Sequence, residues 1–232
     1  MKSENLSPAS PADGHAPRKP RADGVASRKA ILLAAANLAT TRGLDVLSIG
    51  ELANQIGMSK SGLYAHFKSK EELELATIDT AAEIFVQDVL APVPDSFKGV
   101  ARLMGLADAF LQHLRKRVFP GGCFFAAVSA QLAGQPGRAR DRVLLLQRHW
   151  AGKIGEALQQ ARDAGEIQPD ADIDQLIFEI SAMLLRANID WVVTDDQRAL
   201  EQARVGVQHV LERAAGMAKP QKAQSRHKTH RG

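Results

Sequence analysis

The apolar residues of this 232-residue chain recur every three or four positions, which is the period of α-helices that bury one face. No alternating pattern typical of β-strands appears, so we predict an all-α fold. The first helical pattern runs from Ser27 to Gly43. One face of this helix is predicted to be buried and contains Ile31, Leu32, Ala35, Leu38 and Ala39. The residues after the helix that are predicted to complete this small core are Leu44, Val46 and Ile49.

Three helix starts follow in close succession after this first helix. Ser48 with Glu51 has the spacing of a capping box, in which hydroxyl and carboxylate each bind a free backbone N–H. Ser69 with Glu72 repeats that spacing. Gly57 is placed to end the first of these helices, since glycine adopts the left-handed conformation at little cost. The sequence therefore predicts a helix-turn-helix followed by a longer helix.

The middle helix of the three, capped by Ser59, has two different faces. Leu63 and Phe67 lie four residues apart and are predicted to be buried together. The opposite face is small and unobstructed, which suits insertion into a DNA major groove. That face holds Ser61, Gly62 and Ala65, and the polar groups around it are Lys60, Tyr64, His66, Lys68 and Lys70. A small helical hairpin with solvated lysines is the alternative interpretation of this pattern alone.

The segment from Gly57 to Leu73 reads GMSKSGLYAHFKSKEEL and resembles the recognition-helix signature of the TetR family of bacterial transcriptional regulators. The specific match extends from about Ser27 to Leu73, and beyond it only the layout of helices is similar. The resemblance implies DNA binding, a regulatory domain after the helix-turn-helix, and a phosphate contact near the start of the first helix. The predicted DNA-binding residues are Arg28, Ser48, Lys60, Ser61, Gly62, Tyr64, His66 and Lys70.

A long helix is predicted from Lys70 to Val89, because Pro92 and Pro94 stop it. Its apolar stripe extends beyond the helix-turn-helix, so the helix belongs to two domains. Later helices are predicted to start at Asp95 or Ser96 and to cover residues 123–133, 138–164, 174–193 and 197–215. The predicted parts are a disordered basic arm at 1–24, a DNA-binding domain at 25–72, a regulatory and dimerisation domain at 73–217, and a disordered basic tail at 218–232.

The last two predicted helices are unusually apolar. In the TetR family, two such helices pair with those of a second subunit in a four-helix interface, so the resemblance implies a homodimer. Ordinary core packing is the alternative. The apolar stripe of the last helix consists of Leu200, Ala203, Val207, Val210, Leu211 and Ala214.

The net charge of +4 is unevenly distributed along the chain. Residues 1–70 hold ten Lys or Arg and five Asp or Glu, residues 71–217 hold fifteen and twenty-one, and residues 218–232 hold five and none. Positive potential therefore accompanies the predicted DNA-binding half and the tail. No apolar run approaches the roughly 18 residues of a membrane span. The single Cys fits a reducing compartment, so we expect a cytoplasmic protein that does not enter the membrane.

Enzyme and metal motifs such as HExxH, CxxC or a phosphate-binding glycine loop do not occur in the sequence. We therefore predict neither catalysis, nor a metal, nor a cofactor. Cys123 follows Gly121 and Gly122 at a predicted helix start, where the helix dipole lowers the pKa of a thiol and makes it reactive. Simple packing of this Cys in an apolar segment is the alternative.

These features together predict a homodimeric TetR-like repressor that binds a near-palindromic DNA operator. A small-molecule effector entering the C-terminal domain is expected to release it. Two alternatives remain, namely a structural DNA-binding protein of the same fold without an effector and a redox sensor that uses Cys123. The candidate effector contacts are aromatic and Met residues of the inner helices, namely Met104, Phe110, Trp150, Phe178, Met183 and Trp191.

Overall fold

The computed structural model describes residues 20–216, with side chains from residue 27 onward. This range forms nine α-helices and one π-helical turn without any β-strand, and the all-α prediction is confirmed. The helices are α1 (Pro20–Arg42), α2 (Ile49–Ile56), α3 (Lys60–His66), α4 (Lys70–Phe85), α5 (Gly99–Arg115), α6 (Phe124–Leu132), α7 (Arg138–Asp163), α8 (Ile173–Thr194) and α9 (Arg198–Ala214), with the π-helical turn at Val86–Leu90. The predicted tail and residues 1–19 of the predicted arm lie outside the described residues.

The start of α1 lies earlier than the sequence pattern indicated. The prediction began this helix at Ser27 and placed residues 20–24 in a disordered arm, which was wrong. Proline is compatible with the first helical position, because the N–H that it lacks would have no partner inside the helix there. Residues 20–24 therefore belong to α1 and not to the predicted arm.

Only one of the two hydrogen bonds of each predicted capping box forms at the starts of α2 and α4. Ser48 Oγ accepts the backbone N–H of Glu51 at 3.0 Å. Ser69 Oγ accepts that of Glu72 at 3.1 Å, so both serine caps are confirmed. The carboxylates bind elsewhere, and this half of the prediction was wrong. Glu51 pairs with the guanidinium of Arg42, and Glu72 accepts a backbone N–H of the preceding turn, both at 2.9 Å.

The buried residues form an N-terminal cluster and a C-terminal cluster that meet along α4 and α6. The N-terminal cluster is built from α1 to α4 and includes Phe124, Val128 and Leu132 of α6. The C-terminal cluster joins the end of α4 to α5, α7, α8 and α9. Val46 was wrongly predicted to be buried, since it is 40% exposed and Leu47 is buried instead. This segment is a turn, where helical spacing does not apply.

The start of α5 is decided by a distant residue. The helix begins at Gly99, not at Asp95 or Ser96 as predicted. The carboxylate of Glu166, which follows α7, accepts the N–H of Val100 at 2.8 Å. A cap supplied from 66 residues away leaves no local signal. The predicted bounds of α6 to α9 agree with the structure within one residue at each end.

Candidate functional site

The recognition helix α3 presents a small polar face to the outside of the N-terminal cluster. Leu63 and Phe67 are fully buried, which confirms the prediction from their spacing. Gly57 ends α2 in the left-handed region, with φ 69° and ψ 26°, and Ser59 caps α3. The tyrosine ring on this face, Tyr64, is 56% exposed. The accessible positions are Lys60, Ser61, Gly62, Tyr64, Ala65 and His66.

Two predicted DNA-binding residues outside α3 also hold the helices together. The guanidinium of Arg28 lies 4.8 Å above the ring centroid of Phe67, which ties the first helix to the recognition helix. The hydroxyl of Ser48 is occupied by the cap of α2. Both residues therefore have a structural role in the free protein, whatever they bind on DNA.

The two predicted phosphate-contacting lysines differ in their surroundings. Lys70 donates to the carbonyl of Asp45 and lies 3.6 Å from the carboxylate of Glu74. Its ammonium group is thus partly engaged inside the protein. Lys60 is exposed, and its side chain lies against Gly50 of α2. A Cβ atom at position 50 would be only 3.1 Å from the Cε atom of this lysine. The sequence analysis missed Gly50, although a glycine inside a helix usually has a packing or functional reason.

A cavity of about 320 Å³ lies among α4, α5, α6, α7 and α8. Small-molecule sites in proteins typically have volumes of about 300–1,000 Å³, so this cavity is at the lower end. Its lining is mostly apolar and consists of Ala82, Phe85, Val86, Leu90, Phe110, Cys123, Phe125, Ala126, Leu146, Gln147, His149, Trp150, Ala151, Ser181, Leu184 and Leu185.

Two of the six predicted effector contacts, Phe110 and Trp150, line this cavity. Phe178 instead is 68% exposed on the outer side of α8. Trp191 is buried, and its indole N–H donates to the carbonyl of Leu114 at 2.9 Å. The two methionines pack against the C-terminal cluster. The predicted contacts outside the lining are therefore Met104, Phe178, Met183 and Trp191.

Phe85, the last residue of α4, lies at the centre of the aromatic wall of the cavity, and it was not among the predicted effector contacts. Its ring meets Trp150 edge to face with centroids 5.3 Å apart, and Phe125 likewise at 5.9 Å. The π-helical turn that follows also contributes to the lining. Because α4 starts directly after the recognition helix, it connects α3 to the cavity.

Cys123 lies in the cavity lining and is 4% exposed. Burial raises the pKa of its thiol, and this outweighs the backbone N–H groups at the start of α6 that lower it. The thiol is therefore kept protonated, whereas a reactive thiol is a thiolate. The structure favours the packing interpretation of this residue over the sensing one.

Helix α6 contacts both the cavity and the DNA-binding helices. One face enters the N-terminal cluster, and the other lines the cavity. Just before α6, the N–H of Gly121 donates to the hydroxyl of Thr40 in α1 at 3.2 Å. Near its end, Gln131 accepts the N–H of Leu44, which follows α1, at 3.1 Å. A displacement of α6 would therefore be transmitted to the end of α1.

The apolar stripe of α9 is used inside the chain. Val207 is buried with every other stripe residue except the partly buried Ala214, because α9 packs there against α5 and α8. Assigning this stripe to a dimer interface was therefore wrong, and the core alternative holds for it. An exposed apolar face lies on the outer side of α8, with Leu185 at its border also lining the cavity, and consists of Phe178, Leu185, Ile189, Val192 and Val193. A helix that is apolar on both sides indicates a second packing partner.

Comparison with known proteins identifies the arrangement. Residues 31–77 match the family model of tetR-family bacterial regulatory proteins, and residues 99–207 match that of the tetracyclin repressor-like C-terminal domain. The chain belongs to the TetR family. It is therefore a transcriptional regulator with an N-terminal helix-turn-helix that binds DNA and a C-terminal helical domain.

Relatives of this TetR-family chain include a protein named as an activator and a regulator solved with a ligand and DNA. The transcriptional activator FasR of Mycolicibacterium smegmatis is 31% identical over 87 residues, which are 38% of this chain and 40% of that protein. A TetR regulator from Chloroflexus aurantiacus J-10-FL has a TM-score of 0.73 at 26% identity, covering 82% of this chain and 94% of its own. AibR, solved with isovaleryl coenzyme A and operator DNA, has a TM-score of 0.64 at 25% identity, covering 80% and 96%.

Two further properties of the TetR-family chain concern the residues between 20 and 216. None of the helices there combines the length and hydropathy that crossing a bilayer requires. The same part of the chain holds no cluster of three His, Cys, Asp or Glu side chains able to bind a metal ion.

Proposed function

We propose that this chain is a homodimeric repressor that binds a near-palindromic operator and leaves it when a small molecule occupies the cavity. The observation that carries the proposal is the course of α4, which begins directly after the recognition helix and ends at Phe85 in the cavity wall. A ligand that displaces Phe85 would move the helix that positions α3. A protein of this kind acts in the cytoplasm, where bacterial DNA lies.

The outer face of α8 is the proposed dimer interface. Leu185 and Ile189 are 46% and 49% exposed there, and because they lie four positions apart they share one side of the helix. A two-fold interface uses the same patch on both subunits, so one exposed apolar helix face can form it. The two recognition helices would then contact operator half-sites about 34–36 Å apart.

Two contacts support coupling between cavity and operator. One is the aromatic wall around Phe85, and the other is α6 with its bonds to Thr40 and Leu44. AibR was solved with both a coenzyme A thioester and operator DNA, which supports binding of both partners by one protein of this fold. A change of a few ångströms in the spacing of the recognition helices would remove the fit of one half-site.

The proposal is tested by selecting DNA that binds the purified full chain from a random library, then assaying transcription from the selected site. We expect a near-palindrome and higher transcription when the gene for the regulator is deleted. Lower transcription after deletion would indicate an activator, as FasR is named. Binding without sequence preference and without any effect on transcription would instead support the structural DNA-binding alternative.

A further inference from the structure

The cavity lining offers no counter-charge to a charged ligand. Among its residues there is no Lys, Arg, Asp or Glu. The lining also holds Cys123, whose buried thiol stays protonated, and His149, whose side chain is exposed to solvent. Transferring an unpaired carboxylate, phosphate or ammonium into such a site is unfavourable, because the charge loses its water and gains no partner.

The walls of the cavity point to a flat molecule. Its volume of about 320 Å³ is at the lower end of the range of about 300–1,000 Å³ for small-molecule sites, which favours a small ligand. The walls are formed by the rings of Phe85, Phe110 and Trp150, and the last two are stacked at an interplanar angle of 23°. Aromatic walls favour flat apolar ligands through stacked and edge-to-face contacts.

One polar group in the lining has a defined direction. Ser129 Oγ donates its proton to the carbonyl of Phe125, so the same oxygen can only accept a second hydrogen bond. Gln147 supplies that bond from its amide nitrogen, with Nε2 2.7 Å from Ser129 Oγ. The amide is thereby oriented, and its carbonyl oxygen Oε1 is left as an acceptor. In the part of the chain that the structure describes, Oε1 accepts no hydrogen bond.

From these three features we propose that the effector is a small, uncharged, flat, hydrophobic molecule with a hydroxyl that donates to Gln147 Oε1. An aromatic alcohol belongs to this class. The inference rests on the proposed function, because it assigns a ligand class to the same cavity. It also separates this chain from AibR, since the phosphates of a coenzyme A thioester would meet no cation in this lining.

Four probes with one ring system test the ligand class by calorimetric titration into the full-length protein at pH 7. They are 2-naphthol, 2-methoxynaphthalene, 2-naphthoate and protonated 2-naphthylmethylamine. We expect 2-naphthol to bind best and the methyl ether, which has no donor, to bind about two- to tenfold more weakly. The anion and the cation should bind at least about tenfold more weakly than 2-naphthol. Equal or better binding of a charged probe, or no binding of 2-naphthol, would overturn the proposal.

The variant Gln147→Leu tests the hydrogen bond. It should bind 2-naphthol and its methyl ether with equal affinity, because both then meet only apolar walls. Gln112→Leu is the matched control, since Gln112 is exposed on α5 outside the cavity, and it should keep the preference. If Gln147→Leu still binds 2-naphthol better than the methyl ether, Gln147 Oε1 is not the acceptor of the hydroxyl. If this variant does not fold, the probe series on the natural protein decides the ligand class.

Operator binding measured in the same samples separates the ligand class from the proposed function. Release of operator by 2-naphthoate but not by 2-naphthol would overturn the ligand class and leave effector control intact. Tight binding of 2-naphthol without loss of operator affinity would support the ligand class and overturn effector control.

Discussion

The backbone N–H of Gly121 donates to the hydroxyl of Thr40 at 3.2 Å, across the boundary between the two buried clusters. The approach is so close that a Cβ at position 121 would overlap the carbonyl oxygen of Thr40. This contact joins the last turn of α1 to the segment that leads into α6. It also gives the proposed effector control a path to the DNA-binding helices that does not pass through α4.

Replacing Thr40 by Val removes that hydrogen bond while keeping the shape of the side chain. If 2-naphthol weakens operator binding by some factor, operator must weaken binding of 2-naphthol by the same factor, typically about 5- to 150-fold. We expect the variant to bind operator and 2-naphthol separately, but with a coupling factor closer to one. The measurement is titration of 2-naphthol into free and operator-bound protein. Thr194→Val, at an exposed position at the end of α8, is the control. An equal coupling factor in all three proteins would show that the Gly121–Thr40 hydrogen bond does not transmit the coupling.

Lys60→Ala should weaken binding to every DNA sequence, because this exposed lysine is proposed to contact phosphate. Each phosphate contact contributes about 0.9 to the slope of log affinity against log salt concentration, so a dimer should lose about two units. Binding measured over a salt series gives the slope. Lys98→Ala, an exposed lysine before α5, should leave the slope unchanged. If Lys60→Ala has the same salt slope as the natural protein, Lys60 does not contact phosphate.

Ile189→Glu and Val207→Glu should have different effects. Ile189 is on the outer face of α8, so its replacement should give folded monomers that no longer bind operator. Val207 is fully buried, and an unpaired carboxylate there should unfold the chain. Light scattering measures the mass, and circular dichroism measures helix content. A folded dimer of Ile189→Glu would assign the interface to another surface.

The raised pKa of Cys123 leads to a prediction about thiol chemistry. At pH 7 the native thiol should react far more slowly with an alkylating reagent than the unfolded chain does, because little thiolate is present. Peroxide should not change operator binding, and Cys123→Ser should behave like the natural protein. Peroxide-dependent release that disappears in Cys123→Ser would restore the redox-sensor alternative.

His113 makes stability depend on pH. Burial lowers the pKa of this imidazole below 6.5, although the carboxylate of Asp88 at 3.0 Å raises it and Lys116 lowers it further. The unfolded chain therefore binds a proton more readily than the folded one. The stabilisation is complete above pH 6.5 and is lost as the pH falls through the lowered value. Urea unfolding at several pH values should show this decrease, and a decrease of equal size in His113→Gln would assign it to other groups.

Local sequence determined most of the helices and the type of protein. Ser48, Gly57, Ser59 and Ser69 act on backbone groups within a few residues, so their effects can be predicted without tertiary contacts. The predicted burial of Leu63 and Phe67 was correct for the same reason, since a helix fixes the direction of side chains four residues apart. These features were enough to predict a recognition helix, and the resemblance of residues 57–73 to the TetR signature indicated the family.

Tertiary structure decided which apolar face packs inside the chain and which remains free. The sequence shows apolar residues on both α8 and α9, but only packing places Val207 inside and Ile189 outside. The cavity depends in the same way on the approach of several distant helices, which is why Phe85 and Gln147 were not predicted to line it. Helical periodicity fixes the direction of a side chain relative to its own helix, whereas the neighbour in that direction depends on contacts far apart in the chain.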